Sequence, residues 1–342
     1  MRLIHVIPTA VNAVLPIVLL ISLGYILRKK EFLNENFSKV GNSFAYYVCM
    51  PAMLFINVYS IEGLGAIRWD IVAYCVVITA IMFTIGFWIA TSTTDVPTRR
   101  GVILQCAYRS NFAIIGLPLA ATLGGDGAAA IAAIISAFTI PLFSILSVIA
   151  LSIFMETSEN GKMDIKKILS NIYQNPLILG VAAGLVALVI RAAQIKLFGS
   201  VVFSLKEDAT FLYTPINNLK SITSPLALII LGSQFEFSAA KGMMKELVAG
   251  VTARIILCPV IGLGLAVVLD QFTSWISFGP DEFPALIALF GSPVAVSSAV
   301  MARSMKNDGQ LATQLVVWTS VGSMFTIFLT VCILMMFGYL VA

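Results

Sequence analysis

Two short polar stretches, Ser110-Asn111-Phe112 and Ser292-Pro293-Val294, interrupt otherwise apolar segments and lie 182 residues apart. The same offset relates Asp126-Gly127 to Asp308-Gly309, and the apolar run from Ala128 to Met155 to the run from Gln310 to Phe337. A helix interrupted inside a membrane leaves free N–H groups where its second half begins and free carbonyls where its first half ends, with partial charges of opposite sign. Hydrocarbon satisfies neither set, so both must face protein, water or a ligand. A broken helix that recurs in this way marks a secondary transporter that binds its substrate at the break.

Ser292 followed by Pro293 has the form of a helix start, a hydroxyl N-cap and then proline at the first helical position. Asn111 can cap in the same way, and Gly116 and Pro118 beyond it loosen the backbone or let another helix approach closely. Two such N-termini can converge on one anion. The plainer alternative is an ordinary kink, which is the reading given to Pro16, Pro141 and Pro259.

Three cations, Arg109, Lys220 and Arg254, fall inside apolar segments. A charge at that depth costs about 3 kcal/mol or more and marks a functional candidate by default. Arg109 has two readings: a counter-charge for the carbonyl end of its own half-helix, or a ligand for a substrate carboxylate. Lys220 follows Asn217 and Asn218 and is placed to face the same cavity. Arg254, about two turns from the segment's end, is expected to snorkel to the interface. All seventeen Asp and Glu residues fall in loops or at segment edges, for example Asp70, Asp126, Glu246 and Asp308. No mid-membrane carboxylate is therefore available as a proton relay or sodium ligand, and positive embedded charge favours an anionic substrate.

The elements that must position these groups are membrane helices. The chain is 59% hydrophobic and 11% charged, with a mean hydropathy of +0.97, which is the composition of an integral helical membrane protein. Its breaks define ten spans, beginning near Val6, Phe37, Ile71, Val102, Ala128, Pro176, Phe211, Leu247, Phe283 and Leu311. The stretch 195–206 either extends the sixth span or lies flat at the interface. Thirteen Lys and Arg residues fall in the loops after odd-numbered spans and five on the other side, so the positive-inside rule places both termini outside the cytoplasm. The basic cluster after the first span, with no small-residue cleavage site, argues against a signal peptide. Five is odd, so the second half of a five-plus-five repeat enters the membrane inverted. Asn42 and Pro51 of span two have looser counterparts in Asn217 or Asn218 and Pro225 of span seven. The net charge of +4 is spread over short loops, which excludes a nucleic-acid patch. The five cysteines lie within spans without metal spacing, no cofactor motif is present, and His5, at the very start, is too far from the embedded serines to act as their base.

At the first break the run Arg109-Ser110-Asn111-Phe112-Ala113-Ile114-Ile115-Gly116-Leu117-Pro118 resembles the auxin efflux carrier family, which includes plant PIN proteins and bacterial malonate-type carriers. Asn111, Gly116 and Pro118 match the family's Asn, Gly and Pro in spacing. Pro225-Leu226-Ala227-Leu228-Ile229-Ile230-Leu231-Gly232 and Ser292-Pro293 support the match. The resemblance implies two inverted five-helix repeats with helices 4 and 9 broken and crossing. Scaffold helices would lie in 1–64 and 156–240 and often dimerise; transport-domain helices would lie in 65–155 and 241–342 and move as an elevator. The crossover asparagine, here Asn111, would contact the substrate carboxylate. The chain lacks the long hydrophilic loop of plant PIN proteins and has Ser110 where they carry proline, which points to a prokaryotic relative in the plasma membrane. The expectation is an all-α integral membrane carrier of mono- or dicarboxylates, embedded in the bilayer as a homodimer and not an enzyme. Coupling to Na⁺ or H⁺ is left open, and an anion channel on the same scaffold is the alternative. Its expected substrate-binding residues are Asn111, Arg109, Ser110, Ser292, Pro293, Lys220, Asn217 and Asn218, with Gly116, Pro118, Pro51 and Pro225 shaping the crossover backbone.

Overall fold

The computed structural model describes residues 16, 19–60, 68–155, 174–235, 237–273 and 276–340. Every regular element among them is a helix. Residues 19–29 are helical. Then follow α1 Glu35–Phe44, α2 Met50–Tyr59, α3 Trp69–Thr93, α4 Pro97–Tyr108, α5 Leu117–Ser152 and α6 Pro176–Phe198. The second half holds α7 Thr210–Ser233, α8 Met244–Thr252, α9 Cys258–Phe272, α10 Glu282–Gly291, α11 Ser297–Ser304 and α12 Gly309–Met336. The expected first start, Val6, lies outside the described residues; the other expected starts fall at or near helix starts, except that α5 begins well before Ala128.

Among the described residues, five helical stretches are long and apolar enough to cross a membrane: Trp69–Thr93, Gly127–Ser152, Pro176–Phe198, Ala240–Phe272 and Gly309–Met336. The other expected spans differ for local reasons. α1 and α2 run on through a π turn, Ala45–Cys49, and α7 carries Asn217, Asn218, Lys220 and two prolines. The helices at the breaks, α4, α10 and α11, are short because the breaks end them.

Each of the three π turns, Ala45–Cys49, Phe112–Gly116 and Ala253–Leu257, is followed by a helix whose second residue is proline: Pro51, Pro118 and Pro259. Proline has no N–H for the carbonyl four residues earlier and its ring crowds that carbonyl, so the ladder widens just before it. Pro259 is thus more than the ordinary kink expected of it. Pro141, by contrast, sits within α5. α5 breaks at Gly125, whose φ of 71° and ψ of −154° suit glycine alone. The matching position of the second half falls between α11 and α12, where Asp308 caps α12 by accepting the Leu311 N–H at 2.9 Å.

Residues 195–198 extend α6, one of the two expected courses, and the rest of the stretch 195–206 leaves the helix. α6 ends at Gly199 in the left-handed region, and Gln194 pins the following turn by accepting the Val202 and Phe203 N–H groups at 2.8 and 2.7 Å.

Burial ranks the helices. All ten residues of α10 are buried, as are Gly101 to Tyr108 of α4, so both helices that lead into the breaks run through the interior. α10 packs chiefly on α5, and α4 on α3. α6 is the opposite case, burying only Leu177, Gly180, Val181 and Gly184 against its neighbours.

Candidate functional site

α4 ends at Tyr108 and α10 at Gly291, and the chain beyond each is extended, with φ and ψ of −80° and 103° at Arg109 and −64° and 148° at Ser292. The two extended links lie side by side and antiparallel, with Ser110 bridged to Val294. Asn111 N–H donates to the Pro293 carbonyl at 2.8 Å, and Ala295 N–H to the Arg109 carbonyl at 3.2 Å. Each break therefore satisfies backbone groups that the other leaves open. Val294 N–H completes the link by donating to Thr319 Oγ1 at 3.2 Å.

This pairing overturns both capping expectations. The Ser292 hydroxyl donates back to the Ala288 carbonyl, closing α10 rather than opening α11, and α11 starts at Ser297 with no side-chain cap. Pro293 is part of the extended link, where its carbonyl serves Asn111. Asn111 makes no side-chain cap either; its backbone carbonyl accepts from Ile115 at 3.0 Å, and its side chain is left for other work.

Arg254 does not snorkel. It is fully buried, and its guanidinium donates to the carbonyls of Ser292 at 2.8 Å, Leu289 at 3.0 Å, Tyr108 at 3.1 Å and Phe290 at 3.2 Å. These are the open carbonyl ends of both α4 and α10. Its place in the π turn before Pro259 carries it inward, where the negative ends of two helix dipoles meet.

Arg109 lies at the other pole. Its guanidinium donates to Ser297 Oγ at 2.8 Å and to the Met301 sulfur. Ser297 is the first residue of α11, at the positive end of that helix, and Met301 lies one turn further on. Arg109 is 4% exposed and has no ion pair among the described residues. Beside it, Ser110 Oγ and Asn111 Nδ2 are buried without hydrogen-bond partners among the described residues. These groups, with Ser144, Thr223 and Ser297, line a cavity of about 50 Å³ without any carboxylate. That is room for a few water molecules, or for one carboxylate group.

This cavity shares Met53, Ala113, Ile114, Ile140 and Ser224 with a larger one of about 690 Å³, on which Lys220 lies. Asn217 and Asn218 line neither cavity. Asn217 is one helical turn before Ser221, whose hydroxyl it accepts at 2.9 Å, and Asn218 is exposed. Pro51 and Pro225 are also off the lining, but Met50 and Met53 beside one and Thr223, Ser224 and Ala227 beside the other are on it. Thr223 donates to the Cys49 carbonyl at 3.1 Å and joins α7 to the π turn. Gly116 is required by close approach, since a Cβ there would meet the Ala288 carbonyl oxygen at 2.9 Å and the Phe112 ring closer still. Pro118 is the second residue of α5. Ser297 escaped the sequence reading; its signal was its place just after the second break.

Along α1 and at the end of α7, a third cavity of about 730 Å³ is lined by Arg28, Lys39, Arg303 and Lys306 against the single carboxylate of Glu35. It shares no residue with the crossover cavity. Asn42 stands on its lining and donates to Ser304 Oγ at 3.0 Å and the Val300 carbonyl at 3.4 Å, tying α1 to α11. Among the described residues no group of His, Cys, Asp and Glu is placed to hold a metal ion.

A family model described as a membrane transport protein matches residues 9–331, a stretch that contains both paired helix breaks. The chain belongs to this family, the auxin efflux carriers. It is a family of transporters and not of enzymes. No curated protein matches the chain.

Proposed function

We propose that the chain is a secondary carrier of small organic anions, mono- or dicarboxylates, that binds its substrate at the crossover of the two breaks. The observation that carries this reading is Arg109: a buried guanidinium without a carboxylate partner, aimed at the positive end of α11 and flanked by the unpartnered Asn111 Nδ2 and Ser110 Oγ. A guanidinium beside a helix N-terminus is repelled by it, and an anion between them relieves that repulsion while accepting from both. Asn111 supplies an amide donor, Ser110 a hydroxyl and Arg109 a two-pronged fork suited to a carboxylate. Lys220, at the wider cavity, draws the anion inward.

The architecture behind this reading is a ten-span inverted repeat in the plasma membrane of a prokaryote, with both termini outside the cytoplasm and scaffold helices pairing two copies. Segments 65–155 and 241–342 then move as an elevator against 1–64 and 156–240. The arrangement of cavities supports a carrier over a channel: the crossover cavity shares lining residues with the cavity at Lys220 and none with the basic cavity along α1 and at the end of α7. A conducting pore requires continuity with both. Export of a monoanion from a negative interior is favoured by about 2.3 kcal/mol per 100 mV, whereas import of a dianion opposes about twice that.

A binding screen of acetate, malonate, succinate and indole-3-acetate against the purified protein tests the substrate class. Saturable binding of at least one carboxylate, weakened in Arg109→Gln, is the expected result; saturable binding confined to cations or neutral solutes contradicts the proposal. Unitary conductance in planar bilayers would favour the channel.

A further inference from the structure

Arg254 is not on the lining of the anion cavity, and it donates to four backbone carbonyls. Its four acceptors, Tyr108, Leu289, Phe290 and Ser292, come from the ends of two separate half-helices. The Cys258 sulfur, at 3.5 Å, is a fifth neighbour. Unwound carbonyls at half-helix C-termini are the ligands with which broken-helix transporters hold a coupling sodium. A hard cation needs such an oxygen shell in a site of negative potential, and here the carbonyl oxygens surround a guanidinium instead.

We infer that Arg254 is the resident cation of the crossover: its guanidinium fills the carbonyl site that a coupling sodium would otherwise take, so the two breaks stay paired without sodium. This deepens the proposed function by removing sodium from that position, and it rests on reading the paired breaks as the transport site. Geometry supports a fixed cation over a movable one. Arg254 is fully buried, and its side chain enters from the π turn Ala253–Leu257, a third element that thereby ties α4 to α10. Arg254 acts on the anion cavity only through the position of the breaks, which makes it a positioning residue.

The test is thermal unfolding of the purified full-length protein in detergent, with no substrate present. Wild type should melt at the same temperature in sodium chloride and in choline chloride of equal ionic strength. Arg254→Ala should melt lower by at least about 4 °C, and low-millimolar guanidinium chloride should raise it relative to choline while leaving wild type unchanged. Arg254→Lys, which keeps the charge but not the fork, should fall between. A saturable stabilisation of wild type by sodium would overturn the inference, as would an Arg254→Ala protein that melts like wild type or gains nothing from guanidinium. Should Arg254→Ala fail to fold, the sodium titration of wild type and the folded yield of Arg254→Lys decide between the same outcomes. The assay contains no carboxylate, so its failure leaves the anion reading standing, and a failed carboxylate screen leaves the role of Arg254 intact.

Discussion

Two arginines lie on opposite sides of the same pair of extended links and meet opposite fields. Arg254 faces the carbonyl ends of α4 and α10, while Arg109 faces the start of α11. With those carbonyl ends already held by Arg254, Arg109 is not needed as their counter-charge, and of its two readings the anion ligand is the one the neighbours favour. Arg109→Gln should weaken binding of a carboxylate by about 10- to 100-fold, the loss of one charge-assisted hydrogen bond, with folded yield retained; isothermal titration checks it. Arg109→Lys should recover little, because a point charge does not reproduce the fork. Arg109, Ser110 and Asn111 were legible in the sequence as residue types at a break. The burial of Arg254 was not, because a cation about two turns inside a span reads the same whether it points to the interface or to the interior. Nor was the outward placement of Asn218, which depends on the rotation of α7 and not on its composition.

Among the elements, the breaks carry the fold's specificity. The polar stretches 182 residues apart marked where both breaks lie, but local rules misassigned their backbone. Ser-Pro at 292 reads as a helix start, yet tertiary pairing with 110–111 holds it extended. The same pairing gives a direct check. Ser110 and Val294 are directly opposite in an antiparallel bridge flanked by two hydrogen bonds, the kind of pair whose Cα atoms are closest, at about 4.5 Å. Ser110→Cys with Val294→Cys, in a background lacking the five native cysteines, should therefore form a disulfide on mild oxidation, read by gel shift after protease cleavage between the halves. Separated fragments under non-reducing conditions would refute the pairing. Gly116→Ala tests the packing around it: with the Ala288 carbonyl 2.9 Å from the new Cβ, α10 and the π turn must separate. The expected loss is about 1–3 kcal/mol of stability, seen as a lowered melting temperature. The π turns themselves could have been suspected from Pro51, Pro118 and Pro259, although Pro141, Pro215 and Pro225 sit inside helices without one.

For the whole molecule, the class was the most legible feature. Apolar composition, recurring membrane-length runs and the family resemblance at 109–118 agree with the match over residues 9–331. What composition could not convey is which cavities connect, since that depends on how α1, α7 and α11 pack around the crossover. Asn42, bound to Ser304 and the Val300 carbonyl, ties α1 to α11 at the lining of the basic cavity. The central claim is that a carboxylate is carried at the crossover, and counterflow tests it most directly. Proteoliposomes preloaded with an unlabelled carboxylate found to bind should accumulate the labelled form transiently and saturably with wild type. Asn111→Ala should reduce that overshoot to the level of empty liposomes while its melting temperature stays near that of wild type, and Asn111→Asp should be no better. An overshoot of wild-type size in Asn111→Ala, or labelled carboxylate that only leaks to equilibrium with wild type, would contradict the account.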